Sequence, residues 1–166
     1  MRIRRRITAA FAVVVAIPFV VPGSASAATT VNLTLSNFHY CQRDVPVCAP
    51  TDQAYTRTAS GPEAGSENPN AIVSVHAGDT VVWTYADAAC TALAGLCPGH
   101  EVRLETPDGT GMAVGPLAPW TGLAPPQATI TYTIPAGTPV GTRLYYYCNI
   151  NAHWQYGMTG ILQVAG

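Results

Sequence analysis

The sequence contains no lysine, few charges of either sign and no stretch with sustained helical periodicity. Charged residues are 10% of the 166, and four of the eight basic ones, Arg2, Arg4, Arg5 and Arg6, crowd into the first six positions. Beyond residue 27 four arginines face nine acidic residues, a formal charge of 4 − 9 = −5. A chain so poor in cations lacks the phosphate-neutralising surface of a nucleic-acid binder. A partner with a basic or neutral surface is expected instead. Long apolar runs are scarce too: the one at 9–21 falls short of the roughly 20 residues that a spanning helix needs, so no membrane span is expected. No His-x-His pair occurs, which argues against a second metal or an open catalytic position, and an enzyme is not expected.

What is present begins with a leader. Arginines, an apolar run and the small-residue stretch GSASAA have the layout of a secretory signal peptide, with cleavage expected after Ala27. Residues 28–166 then form one exported domain, secreted or periplasmic, large enough for a single core and expected to be monomeric. Arg5-Arg6 leaves the export route open between general secretion and twin-arginine export.

An exported chain normally pairs its cysteines, yet this one has five. Cys41 lies close to Cys48, and Cys90 to Cys97, so local disulfides are favoured, although four cysteines allow three pairings. Cys148 is left over. A free thiol in an oxidising compartment is a liability unless it is buried or bound to metal.

Short Val-, Thr- and Tyr-rich runs separated by Gly and Pro turns recur along the chain, which predicts an all-β, two-sheet sandwich. Strands are expected over 30–38, 71–76, 80–86, 100–105, 128–134, 143–148 and 159–165. The polar segment 41–70 reads as a long connection pinned by Cys41 and Cys48, and 109–127 as an irregular stretch across one end.

Chemistry concentrates in YYYCNINAHWQYGMTG, residues 145–160, where Cys148, His153 and Met158 are evenly spaced between two strands. Thiolate, imidazole and thioether are donors that copper prefers, and two His with one Cys and a weak axial Met form an electron-transfer site. The second histidine must come from His39, His76 or His100. His100 is favoured because it opens a strand directly after the 90–97 loop, whereas His39 and His76 read as surface or turn residues.

These residues resemble the cupredoxin (blue copper protein) family. The resemblance rests on GDTVVW at 78–83, Pro-x-His-x-Val at 98–102 and the ending Tyr-Tyr-Cys, x₄, His, x₃, Gly-Met-x-Gly, with Cys-x₄-His-x₄-Met spacing most like the rusticyanin-like members. It covers 72–164 and implies a Greek-key sandwich holding one type 1 copper on His100, Cys148, His153 and Met158. Where cupredoxins usually place Asn after the first ligand histidine, this chain has Glu101; Asn149 follows the ligand cysteine, and its amide is expected to donate to the Glu101 carboxylate. A second departure is the insertion TALAGL at 91–96. The resemblance also implies an apolar docking patch, for which Trp154, Tyr156 and Trp120 are the candidates, with Trp154 as an apolar neighbour of the metal. The implied function is electron transfer between redox proteins by Cu(I)/Cu(II) cycling; copper scavenging or delivery is the alternative.

Overall fold

In a computed structural model of the chain, residues 27–36, 38–41, 48–86, 99–107, 109–114 and 129–166 are described. All but Ala27 of the expected leader 1–27, together with Cys90, Cys97, the 91–96 insertion and Trp120, lies outside them. The architecture is an all-β Greek-key sandwich of two sheets. One sheet has the order β2-β1-β6-β9, with β1 at Thr30–Ser36, β2 at His39–Cys41, β6 at Thr80–Tyr85 and β9 at Thr129–Thr133. The other has the order β5-β11-β10-β7-β8: β5 is Ile72–Val75, β7 Arg103–Leu104, β8 Met112–Ala113, β10 Arg143–Tyr147 and β11 Thr159–Val164. A small hairpin, β3 at Arg57–Thr58 and β4 at Gly61–Pro62, stands beside them.

The alternation in TVVWTY explains β6, because successive side chains point to opposite faces of a sheet. Val81, Trp83 and Tyr85 are buried and the residues between them are half-buried. Register places Leu33 of β1 and Ile130 of β9 on either side of Trp83, so three core side chains lie in one row. The second sheet answers with Val73, Leu162 and Leu144 in a matching row. Each fully buried side chain of this size contributes about 1.5–3 kcal/mol. β11 is buried at nearly every position, since β5 and β10 flank it on both edges. Opposite Tyr146 it carries Gly160, and a Cβ there would overlap the tyrosine ring.

Four expectations change. The stretch 109–127, expected to be irregular, contributes β8 at Met112–Ala113 to the edge of the second sheet. The strand expected over 30–38 stops at Ser36; Phe38 turns the chain at φ 60°, and His39–Cys41 then runs back antiparallel to β1 as β2. The segment 41–70 is not merely a connection. Its Ala54–Tyr55 stretch docks on β11: Ala54 N–H donates to Thr159 O, and Tyr55 N–H to Thr159 Oγ1 at 3.2 Å. The expected 100–105 strand shortens to Arg103–Leu104, with His100 held by an isolated bridge. Cys41 and Cys48 are joined in a disulfide, their Cα atoms 5.4 Å apart, and Cys148 is a free, buried thiol. No helix among the described residues is long and apolar enough to cross a membrane.

Candidate metal centre

Three elements bring the site together. His100 follows Gly99, whose φ of 78° turns the chain into the approach to β7. Cys148 directly follows β10, and His153 lies in a 3₁₀ segment, Ile150–Tyr156. That segment is bent inside, with Asn151 and Ala152 at φ 44° and 54°. Left-handed backbone at non-glycine residues costs on the order of 1–3 kcal/mol each and persists only where the surroundings dictate it. Here the loop closes on itself. Cys148 N–H donates to Met158 O at 3.2 Å, Met158 N–H to His153 O at 3.2 Å and Trp154 N–H to Cys148 O at 3.1 Å.

The result is a buried donor cluster. His100, Cys148 and His153 are 1%, 0% and 3% exposed, and each offers one ligand atom within 4.8 Å of the others. The two Nδ1 atoms are 3.1 Å apart, and Cys148 Sγ lies 3.5 Å from His153 Nδ1. A common centre about 2.0–2.3 Å from each donor leaves separations of this size. Burial pushes the Cys148 thiol up to about 12, while main-chain N–H groups of Glu101 and Ile150 pull it down. The Glu101 N–H stands 3.4 Å from Sγ. The metal-free thiol is therefore protonated, and a bound cation would displace that proton onto water. Donor types, burial and separations all fit a soft or borderline metal such as copper.

Met158 is fully buried in the same core cluster as Cys148 and is bonded through its main chain to both Cys148 and His153. Met112 is half-exposed on β8. Glu101 and Asn149 do meet: Asn149 N–H donates to Glu101 Oε1 at 3.1 Å. The donor is the main-chain amide. Arg103 Nε also points to Oε1 at 3.3 Å, and Tyr40 Oη donates to the Glu101 carbonyl. A buried carboxylate is thus tied to both ligand segments and matched by a cation.

The expected surface patch is redistributed. Tyr156 is 66% exposed, but Trp154 is half-buried with its ring 5.1 Å from the Arg57 guanidinium, which also stacks on Tyr147 at 3.7 Å. Arg57 in turn pairs with Glu105 at 2.6 Å. The aromatic beside His153 on the exposed side is Phe38, its ring centroid 4.8 Å from that of His153 and 5.6 Å from that of Tyr156. Ser-Asn before Phe38 is a turn signal that could have flagged it. His39, expected at the surface, is buried, with Nδ1 3.3 Å from Gly157 O. His76, expected as a surface or turn residue, is half-buried just before the turn at Ala77–Gly78, 3.4 Å from Asp79.

No protein-family model and no curated protein matches the sequence. Among solved structures the chain is similar to dithionite-reduced auracyanin from Roseiflexus castenholzii, at 16% identity and TM-score 0.42, covering 86% of this chain and 100% of that one. A pseudoazurin from Sinorhizobium follows at 17% identity and TM-score 0.35, with 84% and 76% covered. Reduced Cu(I) amicyanin, in a point-mutant form, gives 16% and 0.39, with 86% of each chain covered.

Proposed function

We propose that residues 28–166 form an exported, monomeric type 1 copper protein that carries single electrons between redox proteins. The observation that carries this reading is the meeting of two imidazole nitrogens and one thiol, all buried, within 4.8 Å. In this reading His100, Cys148 and His153 are the strong ligands and Met158 the weak axial one, with the loop spacing of the rusticyanin-like cupredoxins. Copper bound there supplies a one-electron couple.

The protein's contribution is to hold the donors still. Glu101 and Asn149 cross-link the two ligand segments, and the Glu101 N–H supports the thiolate sulfur. A frame that moves little between oxidation states keeps the cost of each transfer small. Apolar surroundings and a thioether donor favour the cuprous state and raise the potential. With three strong donors and an axial one on a single metal, no position is left for a substrate, so the reading is carriage rather than catalysis. A net charge of −5 beyond residue 27 (4 − 9) suits partners with a basic or neutral face.

Voltammetry of the copper-loaded protein tests this. Reversible one-electron cycling with copper retained is expected; loss of copper to an acceptor on each cycle would favour delivery instead. Met158→Gln should keep copper and lower the potential, because an amide oxygen is a harder donor that favours Cu(II). An unchanged potential would make Met158 a packing residue.

A further inference from the structure

Phe38 combines features that rarely occur together. Its backbone is left-handed, at φ 60°, a conformation in which a bulky residue is an outlier. The residue is 41% exposed, yet its ring stands edge-on to His153 at 4.8 Å and to His100 at 6.2 Å between centroids. His153 beneath it is only 3% exposed. The next residue, His39, is buried and paired with Gly157 O. The turn that carries Phe38 is therefore fastened to the far end of the ligand loop.

We propose that Phe38 is a positioning residue that roofs the His100–Cys148–His153 pocket. Its left-handed backbone turns the ring away from β1 and over His153, so that water and small external ligands are kept from the solvent side. Tyr156, 5.6 Å away, extends this cover, and Tyr85 closes the pocket behind His100, with ring centroids 5.4 Å apart. A turn at positive φ is most cheaply made by glycine, or by asparagine among residues with side chains. Phenylalanine at this position supplies what those residues lack, a ring over the imidazole. The roof itself is independent of the metal, but its consequence for copper rests on the electron-carrier reading above.

Phe38→Gly and Phe38→Asn both suit the turn and remove the ring. Metal-free protein treated with diethyl pyrocarbonate and mapped by peptide mass reports which imidazoles are open, with His76, whose side chain is 42% exposed, as the internal reference. His153 modification relative to His76 should rise about tenfold or more in both variants as its cover is lost, while their thermal midpoints stay near that of the parent. Equal His153 modification in parent and variants would overturn the roof. A collapse of the midpoint in both variants would overturn it too, by making the ring part of the structural core.

A second arm uses the copper(II)-loaded proteins titrated with azide and followed by electron paramagnetic resonance. Azide should perturb the spectrum of the variants and not of the parent; the same response in all three would count against the roof. If even the parent lacks an intense thiolate-to-copper band, the copper reading fails, and the His153 contrast still decides whether Phe38 is a roof.

Discussion

At the start of β6 the chain reverses through Gly78 and Asp79, whereas beyond its other end, where Tyr85 meets His100, two residues ill suited to left-handed backbone, Phe38 and Ala152, share the turns with Gly99, Asn151 and Gly157. At the first end glycine takes the left-handed conformation, φ 95°. Asp79, 1% exposed, accepts the N–H of Thr29 and of His76 at 2.7 Å each and the Thr29 hydroxyl at 3.0 Å. At the end that carries the His100–Cys148–His153 cluster, Phe38, Asn151 and Ala152 hold positive φ, and they are the non-glycine residues that do so among those described. One end is built from residues that fit their backbone; the other stores strain where the donors converge. The well-matched end and the core must offset that strain, as expected when local fit is given up at a functional site.

The largest effect should come from the core that both ends share. Gly160→Ala would drive a Cβ into the Tyr146 ring within paired strands, and overpacking there should cost about 3 kcal/mol or more in urea unfolding. A cost near zero would mean that the sheets slide freely, and the ends could not then be compared on a common frame.

Asp79→Asn should cost about 2 kcal/mol, because a buried acceptor of three hydrogen bonds loses part of its set, and copper binding should be unaffected. Burial alone would raise the Asp79 carboxyl, but the bonds from Thr29 and His76 hold it below its ordinary 3.8. A group depressed in this way contributes stability that is complete above its unfolded value and is lost as pH falls through its folded value. The stability gap between parent and Asp79→Asn should therefore close below a pH of about 3.8. A gap that stayed constant into acid would remove the carboxylate from the account.

Ala152→Gly should change stability least, within about 0.5 kcal/mol, since relief of the left-handed strain is offset by the extra freedom of glycine in the unfolded chain. Its effect should appear instead as a broader copper spectrum from a looser loop. A loss of stability as large as that of Asp79→Asn would mean that the loop is not strained and would erase the contrast between the ends.

What the sequence made legible was local. The alternation of TVVWTY marked β6 and its buried face, and the spacing of Cys148 and His153 marked two of the three buried donors that meet, with His100, within 4.8 Å. The missed features depend on partners far along the chain. His39 is buried because it meets Gly157, 118 positions away, and the Arg57–Glu105 pair bridges 48. Phe38 escaped notice because a strand pattern running through 30–38 hid the turn at its end. Ala54 and Tyr55 read as loop because the strand edge that binds them, at Thr159, lies about a hundred residues on.

The most direct test of the central claim is the visible spectrum of the copper-loaded protein before and after Cys148→Ser. His100, Cys148 and His153 converging on one copper predicts an intense thiolate-to-Cu(II) band in the parent and its complete loss in the variant. The same band persisting in Cys148→Ser would remove the thiol from the site and contradict the account.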